Sequence, residues 1–164
     1  MPTVHATGYT VLLIIACSLP LASCDSEAAT GDGGGIHYDS ESGLARELVH
    51  AAAACPNGSV WFGYGLNGGG LTRISDSEAR TFTTDDGLER DHVHALACDS
   101  SSRVWIGYGV NAGGLTRYDG SSWHTYTTAD GLASDYVEDV AAATNGRVLV
   151  VYGNNGQGAD LFVP

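Results

Sequence analysis

An all-β fold assembled from a repeated four-strand unit is what this sequence predicts, and three observations carry the expectation. Val60-Trp61-Phe62-Gly63-Tyr64-Gly65 and Gly69-Gly70-Leu71-Thr72-Arg73 return as Val104-Trp105-Ile106-Gly107-Tyr108-Gly109 and Gly113-Gly114-Leu115-Thr116-Arg117, at one constant spacing of 44 positions. Each copy breaks into short apolar or aromatic runs divided by Gly, Asn, Asp and Ser, which is strand and turn chemistry. No stretch carries the 3.6-residue apolar period of a helix. A fixed period of about 40–50 residues means stacked supersecondary units, none of which buries its own apolar faces alone.

Residues 1–23 stand apart from the repeats. Thr10–Leu19 is an apolar run too short to span a bilayer but long enough for the core of a signal peptide. It ends in Leu21-Ala22-Ser23-Cys24, which resembles the lipobox of bacterial lipoproteins. That resemblance implies cleavage before Cys24, acylation of its thiol, and an extracytoplasmic chain that meets the membrane through a lipid anchor only. Residues 24–35 hold no large apolar side chain and are rich in Gly, the composition of a flexible tether.

The repeats fill 36–164, with unit boundaries near 47–84, 91–128 and 135–164 and a lone outer strand at 36–40. The first strand of a unit is expected at Leu48–Ala54, His92–Cys98 and Tyr136–Ala142. The second is expected at Ser59–Tyr64, Arg103–Tyr108 and Arg147–Tyr152, the third at Gly114–Asp119, and the fourth at Arg80–Thr84 and Trp123–Thr127. In the last copy Leu149 replaces Trp, Val151 replaces Gly, and the Gly-Gly-Leu register is expected to slip around Gln157–Leu161. Antiparallel four-strand units of this length are the blades of a β-propeller, here about three of them. Trp61, Trp105, Leu71, Leu115 and the aromatics Tyr38, Phe82 and Tyr126 should pack between blades, each worth about 1.5–3 kcal/mol. Gly63 and Gly107 let neighbouring backbones approach. Propeller rings hold about 4–8 blades, so three leave two faces open. Two arrangements answer this: a homodimer completing a six-bladed ring by exchange of the 36–40 strand, or a fragment of a longer propeller.

The same residues carry a family resemblance. Val93-x-Ala95-Leu96, Val104 to Gly109, Gly113 to Tyr118 and Tyr126-Thr-Thr-x-Asp-Gly-Leu132 resemble the two-component regulator propeller repeat, from about residue 36 to the end. The resemblance implies a periplasmic propeller of the kind that senses glycans ahead of a histidine kinase. These 164 residues contain no kinase or receiver sequence, so the signalling half is not carried over.

The formal net charge is −12, with seven Arg, no Lys and no basic run, so nucleic acid is not an expected partner. Cys55 and Cys98 lie within the repeats, in a location that permits a bridge. Cys98 is one repeat beyond Ala54, however, and neighbouring strand positions face opposite ways, so two unbridged buried thiols are expected.

His50, His94 and Glu138 share one repeat position on the three first strands. Pointed into a central channel they would bring together the ligand types of a metal facial triad. The expectation is ligand- or solvent-lining side chains, with no metal and no cofactor. Arg46, Arg90, His92 and Tyr136 are expected to line a ligand mouth at the same end. Asp85–His92 and Ala129–Asp135 hold acids whose spacing is that of turns rather than of a calcium loop. Trp123, on an outer strand where other copies have Arg80 and Ile36, is a sugar-stacking candidate if it is exposed, partial packing being the plainer expectation. No Ser-His-Asp order, Cys-x-x-Cys pair, Walker loop or Gly-x-Ser-x-Gly elbow is present. The expected function is binding or scaffolding, with a glycan or an envelope protein as partner. The alternatives are a propeller lyase or hydrolase, since streptogramin-type lyases have similar Trp-Gly repeats, and a non-functional fragment.

Overall fold

The structure, a computed structural model, describes residues 35–65, 68–76, 78–109, 113–143, 145–153 and 157–164. The segments expected to be a signal peptide and a tether, with Cys24 between them, lie outside the described residues up to residue 34. Three antiparallel meanders follow one another along the chain. The first is β1 (Val49–Ala54), β2 (Val60–Tyr64), β3 (Leu71–Ser75) and β4 (Glu78–Phe82). The second is β5 (Ala95–Cys98), β6 (Val104–Gly107), β7 (Leu115–Tyr118) and β8 (Trp123–Tyr126). The third has three strands, β9 (Val137–Ala142), β10 (Val148–Tyr152) and β11 (Ala159–Phe162). These are propeller blades: β5 lies beside both β1 and β9, so the innermost strands run next to one another with the second blade in the middle.

Strand alternation gives each blade two packing faces. One face of the first blade, with Trp61, Leu71 and Phe82, closes on Val104, Ile106 and Tyr118 of the second. The second blade in turn sets Trp105, Leu115 and Tyr126 against Val140, Val148 and Val150 of the third. Within its blade each Trp stacks on the outer-strand aromatic, Trp61 on Phe82 at 5.7 Å and Trp105 on Tyr126 at 6.1 Å. Gly107 leaves room for Val137 of the next blade, whose Cγ1 would lie 2.6 Å from an added Cβ. At Gly70 and Gly114 the backbone takes φ of +71° and +73°, and an added Cβ would strike the carbonyl oxygens of Phe82 and Tyr126. Only glycine fits there.

Each indole N–H needs a partner in this core. Trp61 Nε1 donates to Ser59 Oγ at 3.1 Å, and Trp105 Nε1 donates to Asp99 Oδ2 at 3.2 Å. Asp99 also accepts from the Ser101 and Arg103 backbone N–H groups and from Arg103 Nε at 2.6 Å. Burial pushes the Asp99 carboxyl up, but the hydrogen bonds from Arg103, Trp105 and Ser101 outweigh it and hold the group below the usual carboxylate range. A carboxyl lowered on folding contributes stability above its unfolded value and loses that contribution as pH falls through the folded value. Urea midpoints measured from pH 7 to 2.5 should therefore fall steeply below about pH 4, and less steeply in Asp99→Asn. Exposed Asp119, lowered by its Ser122 and Ser121 hydrogen bonds, remains in both proteins, so the difference between the two profiles isolates Asp99.

Four expectations need correction. Cys55 and Cys98 form a disulfide, with Cα atoms 5.2 Å apart. Cys55 lies one residue past β1, where its carbonyl already accepts the turn N–H of Gly58, so strand alternation does not govern its direction. Residues 36–40 are not a strand: 35–38 are irregular, and Asp39 starts a turn by accepting the N–H groups of Glu41 and Ser42 at 2.9 and 3.0 Å. An extended segment becomes a strand only beside another, and no strand pairs with it among the described residues. Trp123 corresponds to Ala79 rather than Arg80, because Tyr118 pairs with Trp123 as Ile74 pairs with Ala79. The last copy keeps its register: Val151 pairs with Ala159 as Gly107 pairs with Leu115, so Leu is replaced rather than displaced.

Candidate functional site

The site is built where the three innermost strands begin. Pairing in β1 shifts between Val49 and Ala51, and in β9 Val137 and Asp139 face consecutive residues of β10. His50 and Glu138 are thus the extra residues of two β-bulges. In the second blade the Gly107 carbonyl accepts from His94 while Gly107 also pairs with Ala95, placing His94 likewise. A bulge frees its side chain from the pleat and re-aims it. All three side chains lean over a glycine of their own blade: an added Cβ would lie 2.9 Å from the His50 ring at Gly65 and 2.8 Å from the His94 ring at Gly109, and would meet the Glu138 carboxylate at Gly153.

The result is one polar group spread over three blades. The His50 and His94 rings stand 4.7 Å apart, and His92 lies 6.5 Å from the first and 6.3 Å from the second. His94 Nε2 lies 3.1 Å from Glu138 Oε1, while the buried His94 Nδ1 has no hydrogen-bond partner. Burial, then the neighbouring His94 and His50, lowers the His92 pKa and so favours its neutral form. Among the described residues, no group of three or more His, Cys, Asp or Glu side chains is arranged to hold a metal ion.

Arg46 and Arg90 share a repeat position and pack in the same way. The Arg46 stem crosses Gly69 and the Arg90 stem crosses Gly113, with Arg90 Nη2 3.8 Å from Glu89. Ser134 takes this position in the third blade and is buried, its hydroxyl accepting from the Tyr136 N–H at 3.1 Å. Tyr136 is partly exposed at the position of His92, with Leu48 exposed in the first blade. The acidic turns are used internally. Asp86 and Asp130 close capping boxes with Thr83 and Thr127, and Asp91 and Asp135 accept the N–H groups of Thr84 and Thr128. Trp123 is half-buried, stacked on Tyr118 at 4.1 Å with Phe82 against it edge-on at 5.5 Å.

The opposite end of the inner strands holds an open cavity of about 450 Å³, which the sequence did not point to. Ala54, Cys98 and Ala142, one repeat position on three blades, line it together with Pro56, Asp99 and Ala143. The signal available was a column of small residues.

Replacing Gly109 tests the His94 seat directly. Gly109→Ala should displace the ring from Glu138 and cost about 1–3 kcal/mol, the usual penalty for overpacking. Urea denaturation reads the cost, and NMR titration of the histidines reads the displacement. Unchanged His94 signals would mean that the ring does not lie over Gly109.

A polar cluster on the innermost strands of successive blades defines a propeller module with a candidate binding end. No protein-family model matches the chain, and no curated protein matches it. Among solved structures, it is similar to the extracellular domain of the hybrid two-component system BT3049 from B. thetaiotaomicron. The TM-score is 0.57 at 22% identity, over 71% of this chain and 16% of that one. The extracellular domain of BT4673 from the same organism aligns at a TM-score of 0.49 and 19% identity, over 64% and 15% of the two chains. PorZ, a surface component of the type-IX secretion system of Porphyromonas gingivalis, aligns at 0.49 and 17%, over 68% and 17%. The BT3049 likeness supports the fold, and this chain spans about one-sixth of that domain's length.

Proposed function

We propose that this chain is an extracytoplasmic, lipid-anchored propeller module that binds a glycan where His50, His94 and Glu138 converge. The observation that carries the proposal is the convergence itself: three blades each spend a bulge and a glycine to bring one polar side chain to the same end. Imidazole and carboxylate, flanked by Arg46, Arg90 and Tyr136, offer the mixed donors and acceptors that sugar hydroxyls need. The Cys55–Cys98 bridge suits an oxidising compartment, and a two-component regulator propeller is the family to which the repeats point. A surface of net charge −12 gives no support to nucleic acid as a partner.

Binding of the full chain to immobilised neutral and acidic glycans tests the site. His94→Ala and Glu138→Gln should each weaken binding at least tenfold with circular dichroism unchanged. Absence of saturable glycan binding overturns the proposal, and capture of an envelope protein at the same residues would redirect it. For the anchor, Cys24→Ser should move the chain from the membrane fraction to the soluble one.

One contact favours a second reading. His94 Nε2 and Glu138 Oε1, 3.1 Å apart, form an acid–base pair of the sort a propeller lyase or hydrolase requires. Turnover of a bound glycan that disappears in His94→Ala would establish that reading over simple binding.

A further inference from the structure

In the first two blades the outer strand meets its neighbour through the same three cross-strand pairs. They are Leu71 with Phe82 and Leu115 with Tyr126, Thr72 with Thr81 and Thr116 with Thr125, and Arg73 with Arg80 and Arg117 with His124. Both threonine pairs join through their hydroxyls, at 2.9 and 2.8 Å. In the third blade the positions of Leu115, Thr116 and Arg117 are held by Ala159, Asp160 and Leu161 on β11. Among the described residues no strand pairs with the outer side of β11.

The segment at the outer-strand position of the repeat is Ile36-His37-Tyr38, 44 residues before Arg80-Thr81-Phe82. Laid on β11 in the register of the other blades, it sets Tyr38 opposite Ala159, His37 opposite Asp160 and Ile36 opposite Leu161. Two of the pairs depart from the other blades on both sides at once, and compatibly, while Tyr38 keeps the ring of Tyr126 and meets Ala159 in place of Leu. An aromatic ring meets a small residue, an imidazole meets a carboxylate where the others have Thr with Thr, and two aliphatic chains meet where the others have two basic ones. Cross-strand pairs of these kinds stabilise sheets. Ile36 and Leu161 are 79% and 51% exposed as they stand.

We infer that Ile36–Tyr38 of one copy forms the outer strand of the third blade of a second copy, so that two chains close one six-bladed ring. Tyr38 shows why the partner is a second copy. Its ring rests on Phe62 at 5.0 Å, on the face of the first blade that matches the face of the second where Phe82 meets Tyr118 at 5.5 Å and the face of the third where Tyr126 meets Phe162 at 5.0 Å. In the two complete blades that ring belongs to the outer strand and packs on the blade that follows. Tyr38 therefore occupies the seat of a blade preceding the first. The third blade of its own chain lies beyond the second, on the far side from this seat. A third blade supplied by another copy fills the place, and the reciprocal contact closes the ring with twofold symmetry. The open faces agree with this. The first blade leaves Val60 and Ile74 partly exposed around the buried Phe62, and the third leaves Leu149 and Leu161 exposed beside the partly buried Val151. This inference is independent of the ligand.

Sedimentation of the full chain in density-matched detergent tests it, and a dimer at micromolar concentration is expected. Leu161→Arg, at an exposed position, should weaken that dimer at least tenfold without altering circular dichroism. Cysteines at the predicted pair, His37→Cys with Asp160→Cys, should oxidise to a covalent dimer, whereas the off-register His37→Cys with Leu161→Cys should give at least tenfold less. A wild-type monomer overturns the inference, as does a dimer that neither cross-links at the predicted pair nor responds to Leu161→Arg.

Discussion

Trp105→Ala is expected to remove about 3–5 kcal/mol of stability, the cost of deleting a large aromatic from a packed core. The side chain is fully buried and lies in the interface through which the second blade holds the third. Three contacts are lost together: the stack on Tyr126, the Arg117 guanidinium 5.9 Å above the ring, and the indole N–H donated to Asp99. Loss of the last also strips a donor from a buried carboxylate. Domains of this kind hold about 5–15 kcal/mol in total, so the variant should sit close to unfolding at ambient temperature. The same repeat position supplies the control. Leu149 occupies it in the third blade but is 42% exposed within a single copy, so Leu149→Ala, measured at concentrations too low for two copies to associate, should cost no more than about 1 kcal/mol. Urea midpoints for the two variants measure the contrast. Equal losses would mean that the faces of the second and third blades are not packed as described.

That contrast also shows what the sequence could and could not disclose. The 44-residue spacing made the blades legible, because identical words at a fixed offset must occupy identical places. It also brings His50, His94 and Glu138 into one column. The bulges that aim them were silent, since an extra residue in one strand appears only when the pairing partner is seen. Trp123 and Ala79 have nothing chemical in common, but they stand one repeat spacing apart and the backbone pairing confirms their equivalence. Residues 36–40 carried a strand's composition, but strand formation depends on a neighbour that lies outside the segment itself. The covariation of His37 with Asp160 and of Ile36 with Leu161 was equally hidden, because it is visible only once the register of β11 is known.

Opening the Cys55–Cys98 bridge is the other large effect expected, at about 4 kcal/mol for a loop of this size on the chain-entropy account. The two residues are 43 positions apart, and the bridge ties the end of β1 to the end of β5. Adding reductant and making Cys55→Ser should lower the urea midpoint by similar amounts. An unchanged midpoint in reductant would mean that the thiols are not joined. The loss should also be uneven. One repeat further on, the positions of Cys55 and Cys98 are Asp99 and Ala142, which cannot be bridged. At that junction Asp99 instead uses its carboxylate within its own blade, on Arg103 and Trp105. Reduction therefore loosens the joint between the first and second blades and leaves the joint between the second and third intact. Hydrogen exchange should show protection falling in β1–β4 well before it falls in β9–β11. A uniform fall would instead mean that the three blades unfold as a single cooperative unit, with the bridge stabilising all of them alike.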